Sequence, residues 1–154
     1  MPDIEHSTLS GAELHEPKGI GSANADEAYL ADGTGSGNWT PVMQDYVITG
    51  LIADVSNSET VYVALPYAGT VQKVVTVLQG SITTSDATIT VTNSNTLSMG
   101  TITVTQSGSA AGDVDTLTPV SNNTVTDNDY LTIETDGASA TSNKLWFSIV
   151  VRIT

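Results

Sequence analysis

The stretch ATITVT at residues 87–92 alternates threonine with apolar residues at every second position. The stretch GTITVTQ at residues 100–106 repeats this alternation, and the turn-forming segment TNSNT lies between the two. Successive side chains of a β-strand point to opposite faces of the sheet, so each stretch predicts a strand with one apolar and one hydroxyl face. This pattern is typical of antiparallel sheets that pack one face on a core and expose the other to water.

Working outward, the same period-two pattern continues in both directions along the chain. Further segments of alternating or continuous apolar character lie at residues 46–54, 61–65, 70–78, 130–135 and 144–153. Clusters rich in Ser, Asn, Asp and Gly separate these segments, and Pro66 and Gly69 end one strand and start the next. Seven or eight short strands at this spacing predict an all-β fold with an antiparallel two-layer arrangement, a sandwich or a barrel.

The last of these segments, LWFSIVVRI, is apolar at almost every position. Such a run predicts a strand that is buried on both faces or lies at a contact between subunits. We therefore expect the following residues in the core or at a subunit contact: Leu145, Trp146, Phe147, Ile149 and Val151.

The first 45 residues have a different character and predict a separate region, with a β-sandwich domain at residues 46–154. They carry eight acids and one lysine and are poor in large apolar groups, so they cannot offset their ordering entropy alone. The larger apolar residues recur at wide intervals: Leu9, Leu14, Ile20, Tyr29, Leu30 and Trp39. This spacing suits an extended arm that lies along a partner surface, and an unstructured tail is the alternative.

The charge balance excludes whole classes of partner. The 154 residues contain 17 acids, four Lys or Arg and two His, which gives a formal net charge of −13. Nucleic acids and anionic membranes both require cationic side chains, so we expect neither as a partner. No apolar run approaches the roughly 18 residues of a membrane span, and the first residues lack the features of a signal peptide. The 24 Thr and 16 Ser predict that hydroxyls take the place of charges on the solvated faces.

Two pairs of acids are the candidate metal ligands. Asp113 and Asp115 lie two residues apart, as do Asp127 and Asp129, and loop carboxylates at this spacing can chelate calcium. The further ligands of an EF-hand are absent, and Asp in loops commonly hydrogen-bonds its own backbone to close a turn. We favour the turn interpretation, and no cofactor is predicted.

Catalytic motifs are scarce. The chain has no cysteine, and its two histidines, His6 and His15, precede the predicted β-domain. No zinc-ligand spacing and no G-x-S-x-G nucleophile motif is found. Because carboxylates are plentiful, hydrolysis by a pair of acids is a possible enzymatic function. The sequence favours a non-enzymatic binding or structural protein.

Several longer stretches carry a resemblance to a known family. LHEPKGI at residues 14–20 and AYLADGTGSGNW at residues 28–39 resemble a segment of tailed-bacteriophage structural proteins, which recurs in head decoration, head fibre and tail-associated proteins. PYAGTV at residues 66–71, GSITTSDATI at residues 80–89 and SGSAAGDVD at residues 107–115 are similar to the β-domain of phage capsid cement proteins.

This resemblance implies a jelly-roll-like β-sandwich, usually a homotrimer, that binds the outer surface of an icosahedral head and stabilises the expanded shell. It implies the major capsid protein as partner, contacted by the N-terminal arm. The implied contact residues are Leu14, His15, Glu16, Pro17, Lys18, Gly19, Ile20, Tyr29 and Trp39. The alternative is a receptor- or carbohydrate-binding module of a phage head fibre or tail.

Overall fold

The computed structural model describes residues 23–25, 27–31, 33, 37–42 and 44–153. The chain divides into two compact units between Val42 and Met43. The described residues form strands and turns without any helix, which confirms the predicted all-β class. None of them belongs to a helix of the length and apolar character that a membrane crossing requires.

The described part of the first unit is a two-stranded antiparallel hairpin. Strand β1 (Glu27–Ala31) pairs with β2 (Gly37–Pro41), and Tyr29 lies opposite Trp39. The two rings meet edge to face with centroids 5.5 Å apart, a cross-strand pair that stabilises a hairpin. The sequence predicted a single extended arm here. The aromatic pair supplies the cross-strand contact that composition alone did not reveal.

The described residues of the second unit, 44–153, form nine strands. Their bounds are β3 (Asp45–Ile52), β4 (Ser58–Leu65), β5 (Gly69–Leu78), β6 (Ala87–Asn93), β7 (Ser98–Val104), β8 (Val114–Leu117), β9 (Thr124–Val125), β10 (Asp129–Asp136) and β11 (Leu145–Ile153). The short strands β8 and β9 are the two that the sequence did not predict.

These strands form two antiparallel sheets of a jelly-roll-like sandwich. One sheet has the order β4-β10-β6-β7, and the other has the order β3-β11-β5-β8 with β9 also paired to β5. Strand β11 thus lies in the interior of its sheet, between β3 and β5. We call the two sheets the four-stranded and the five-stranded sheet.

The core is built from the inward-facing side chains of both sheets. On β6 and β10 every second residue is buried, which is the alternation that the Thr-Ile-Thr-Val pattern predicted. On β11 the buried side chains are Leu145, Phe147, Ile149 and Val151. Trp146 is 51% exposed, so within this chain the strand is buried on one face only.

Side-chain hydrogen bonds close loops between successive strands. The Asp54 carboxylate accepts bonds from the backbone N–H of Ser56 at 2.9 Å and from the amide of Asn57 at 2.8 Å. The Asn93 side-chain oxygen accepts bonds from the backbone N–H groups of Asn95 and Leu97. Asx side chains satisfy the backbone in this way where the chain leaves a sheet.

Candidate functional site

The outward faces of the two sheets differ in chemistry. On the four-stranded sheet the outward side chains are mainly hydroxyls, and cross-strand pairs such as Thr132 with Thr92 and Thr90 with Thr101 place them side by side. We call this surface the hydroxyl face. Its residues are Thr60, Tyr62, Thr88, Thr90, Thr92, Thr101, Thr103, Thr132 and Glu134.

The outward face of the five-stranded sheet is richer in apolar residues than the hydroxyl face. Trp146 on β11 lies opposite Leu51 on β3 and Val77 on β5, and Val77 lies opposite Val114 on β8. One apolar row therefore crosses four strands, because directly opposed residues point to the same side of a sheet. We call this surface the Trp146 face; its apolar residues are Val47, Leu51, Val75, Val77, Val114, Trp146 and Val150, and the hydroxyl residues Thr49, Ser148 and Thr116 lie among them.

Three members of the Trp146 face are largely open to solvent. Val47 is 59% exposed, Trp146 51% and Val114 60%, and the other members are partly buried by their neighbours. The sequence predicted a subunit contact or core role for Trp146 but missed the valines. The available signal was the adjacent valine pair in each of β5 and β11, which puts apolar side chains on both faces of a strand.

The Trp146 face carries little charge. Asp45 and Arg152 form an ion pair at one end, with the guanidinium Nε 2.9 Å from the carboxylate Oδ1. The hydrogen bond from Arg152 holds the pKa of Asp45 below its ordinary value. Lys73, opposite Val150, is the other charge of this face, and it forms no ion pair among the described residues.

Four of the five tyrosines collect near the end of β4. Tyr62 and Tyr130 lie with ring centroids 5.6 Å apart, and Tyr46 and Tyr67 meet edge to face at 6.0 Å. The Tyr46 hydroxyl donates a 3.0 Å hydrogen bond to the Tyr67 carbonyl. Tyr62 and Tyr67 are 70% and 58% exposed.

An open groove is lined in part by Pro66 and Asp129, which are adjacent in sequence to Tyr67 and Tyr130. Its volume is about 530 Å³, and it is lined by Ile48, Ala64, Leu65, Pro66, Asn128 and Asp129. The lining is mainly apolar, with the Asn128 and Asp129 side chains as polar groups, a composition found in small-ligand sites.

Two of the four paired aspartates, Asp113 and Asp129, accept hydrogen bonds from backbone N–H groups close in sequence. One Asp113 oxygen accepts a 2.7 Å bond from the backbone N–H of Ala110, and Asp127 accepts a bond from the amide of Asn128. Asp129 accepts bonds from the backbone N–H of Tyr130 and from Thr126, and hydrogen bonds led by that of Ser94 lower its pKa. Desolvation, with the Asp113 charge as second cause, raises the pKa of Asp115.

The part of the chain that the structure describes contains no candidate metal cluster. No group of three or more His, Asp or Glu that could hold a metal ion is found there. The described residues include no histidine, and every buried side-chain polar atom among them has a hydrogen-bond partner.

Most of the implied arm contacts fall outside the described residues. These residues are Leu14, His15, Glu16, Pro17, Lys18, Gly19 and Ile20. His6 also lies outside the described residues. Tyr29 and Trp39 are described, and the hairpin brings their rings together.

Comparison with known proteins finds likeness at the level of structure. No protein-family model matches the chain, and no curated protein sequence matches it. Among solved structures, the chain is similar to one in the acidic stable capsid structure of Helicobacter pylori bacteriophage KHP30. The TM-score is 0.51 at 18% identity, over 73% of this chain and 94% of that chain.

Two further solved structures are similar to this chain to a lesser degree. A chain of the cyanophage Pam1 capsid asymmetric unit gives a TM-score of 0.47 at 13% identity, with all of both chains covered. A chain of the Bacillus endospore appendages, described as disulfide-linked pili, gives 0.35 at 17% identity, over 73% of this chain and 88% of that chain. Both TM-scores are too low to indicate a shared fold. The first comparison shows that this β-sandwich shares its fold with a chain found in a bacteriophage capsid structure.

Proposed function

We propose that this protein is a non-enzymatic structural component of a bacteriophage virion, a decoration or cement protein on the outer surface of the icosahedral head. The observation that carries the proposal is the fold likeness to a chain of the KHP30 capsid structure, which spans 94% of that chain. The resemblance of residues 14–20 and 28–39 to phage structural proteins supports the same role.

The mechanism requires binding alone. A protein that binds the expanded shell more tightly than other shell states stabilises it by mass action, by about 2.7 kcal/mol per site when its free concentration is 100 times the dissociation constant. In this proposal the partners are the major capsid protein and further copies of the chain, assembled as a homotrimer. The implied arm residues, with Tyr29 and Trp39, contact the shell.

Co-sedimentation with expanded capsids that lack the protein tests this role. We expect saturable binding, with a copy number per shell that matches its local three-fold positions. A soluble, folded protein that does not pellet with shells would refute the proposal.

The arm assignment has its own test. Deletion of residues 1–42 removes the first unit and leaves the sandwich with its own core. We expect the shortened protein to fold and to lose capsid binding. Trp39→Ala should weaken binding in the full chain, whereas Val120→Ala, at a loop valine that is 92% exposed, should not. Unchanged affinity after the deletion would contradict the arm assignment.

The tyrosines near the end of β4 favour a second candidate, a carbohydrate-binding module of a head fibre or tail. Exposed aromatic rings beside hydroxyl and amide groups offer both stacking surfaces and hydrogen-bond partners. Screening against bacterial surface glycans should then show saturable binding that Tyr62→Ala or Tyr67→Ala abolishes and Val120→Ala preserves. Absence of glycan binding by a protein that decorates shells would remove this candidate.

A further inference from the structure

We propose that the Trp146 face is the surface through which copies of this chain bind one another. The inference deepens the proposed function, because it assigns a surface to self-association, but it is argued from the sandwich alone. The occupant of the face is the same face of a second copy, a two-fold contact that pairs chains in addition to the three-fold contact of the proposed homotrimer.

The first argument is the contrast between the two outward faces. A sandwich surrounded by water on both sides is expected to alternate apolar-in and polar-out on every strand. The four-stranded sheet follows this rule with its threonines, whereas β3, β5, β8 and β11 carry seven apolar side chains outward, with Thr49, Ser148 and Thr116 among them. Contiguous exposed apolar patches of this kind mark interaction sites.

The second argument is electrostatic. Each copy carries a net charge of −13, so two copies repel each other wherever their acids face. The Trp146 face holds one described acid, Asp45, and Arg152 already neutralises it. The register directs Asp115 inward with buried Thr76, and Glu134 lies on the hydroxyl face. Two copies can therefore meet at this face without bringing unpaired carboxylates together.

The third argument is area. Strands about 4.8 Å apart with a rise of about 3.4 Å per residue give a four-strand face a footprint of roughly 500 Å². Two copies would then bury about 1,000 Å² in total, which reaches the lower limit expected of a biological interface.

The composition of the face favours a second copy over the shell. Interfaces between copies of one protein are more apolar than those between separately folded partners, and valine, leucine and tryptophan supply seven side chains of the Trp146 face. Apolar sheet faces also pack on one another at about 10 Å, as in the interior of a sandwich. The interface would repeat between chains the packing that each chain uses internally.

Sedimentation velocity on the full chain, without capsids, tests the inference. We expect the wild type to form a defined oligomer at micromolar concentration. Trp146→Thr introduces the residue type common on the hydroxyl face and should weaken association about 100-fold or more, because a central tryptophan is a typical interface hot spot. The matched control is Tyr62→Thr, which changes an exposed aromatic on the other sheet and should leave association unchanged.

A second pair of variants keeps the test decisive if Trp146→Thr does not fold. Val47→Asp places a carboxylate on the edge strand of the face, and Val120→Asp makes the same change in an exposed loop. We expect dissociation for Val47→Asp alone. In a Trp39→Phe background, Trp146 emission should also shift to shorter wavelength as the concentration rises, because association removes water from the indole.

The possible outcomes separate this inference from the proposed function. A wild type that stays monomeric at about 100 µM, or a folded Trp146→Thr variant that associates like the wild type, overturns the inference. If the wild type is monomeric and Trp146→Thr abolishes shell binding, the face binds the shell: the inference and the homotrimer fail, and the role on the capsid stands. If association depends on Trp146 but shells are not bound, the inference stands and the proposed function fails.

Discussion

Replacement of Gly50 by alanine tests whether the core around Phe147 is as tightly packed as the structure indicates. Gly50 lies opposite Phe147 in the pairing of β3 with β11. A Cβ atom at residue 50 would lie 2.2 Å from Cζ of the phenylalanine ring and 2.7 Å from Cε2. The phenylalanine is 2% exposed, so its ring is enclosed by the core.

The expected magnitude follows from two opposing effects. The ring would have to move by about 1 Å to restore normal contact, and overpacking of this kind destabilises cores by about 1–3 kcal/mol. Alanine restricts the unfolded chain more than glycine does, which returns about 0.5–1 kcal/mol. We therefore expect Gly50→Ala to lower the free energy of unfolding by about 1–2 kcal/mol.

A double-mutant cycle provides the assay. Leucine has no atoms at the Cε and Cζ positions, so Phe147→Leu makes room for the new methyl group while creating a small cavity of its own. Urea unfolding of the four proteins should show that the double variant is about as stable as Phe147→Leu alone. The coupling free energy would then be about 1–2 kcal/mol.

Additive free energies in this cycle would refute the reasoning, because they would mean that the alanine methyl and the ring do not interact. Gly80→Ala is a useful control, since a Cβ there meets only the flexible side chain of Asn143. It should cost less than Gly50→Ala.

Three further predictions concern single groups. Urea unfolding should show that Asp115→Asn stabilises the protein at pH 7 but not near pH 3. Burial raises the pKa of Asp115, so the cost of burying its charge grows as pH rises through that pKa and is absent when the carboxyl is protonated. Asn123→Ala should lower the free energy of unfolding by about 1–3 kcal/mol, because its side-chain amide donates to the carbonyls of Val71 and Pro119, and an unchanged urea midpoint would contradict this. Asp45→Asn should reduce the loss of stability on acidification. Arg152 lowers the pKa of Asp45, so the ion pair stabilises the fold above the ordinary pKa of Asp45 and this stabilisation is lost as pH falls through the lowered pKa. Identical acid titrations of the two proteins would exclude this contribution.

Strand patterning predicted the fold well because alternation is a local property of the chain. Residues 87–92 show which side chains face inward without any knowledge of their partners, and β6 follows that pattern. Strand β8 is only four residues long and β9 only two, so neither offers enough positions for alternation to stand out from a turn. Their pairing with β5 is a tertiary effect.

The candidate surfaces were harder to predict from sequence. A valine that faces outward reads the same as one that faces the core, so the Trp146 face emerges only when the register of four strands is known. The hairpin likewise depends on the meeting of Tyr29 with Trp39. The arm contacts at residues 14–20 and the boundary at residue 45 stay predictions.

The interior position of β11 has a consequence for the order in which the molecule is made. Strand β3 pairs with β11 and not with β5, although β3 and β5 are both synthesised much earlier. Translation at about 5–20 residues per second leaves an interval of several seconds or more in which both strands exist without the strand that joins them. During that interval their hydrogen-bonding edges and apolar side chains are open to other nascent chains. Completion of the five-stranded sheet is therefore a late event, and a chain interrupted before residue 145 would lack the strand that joins β3 to β5.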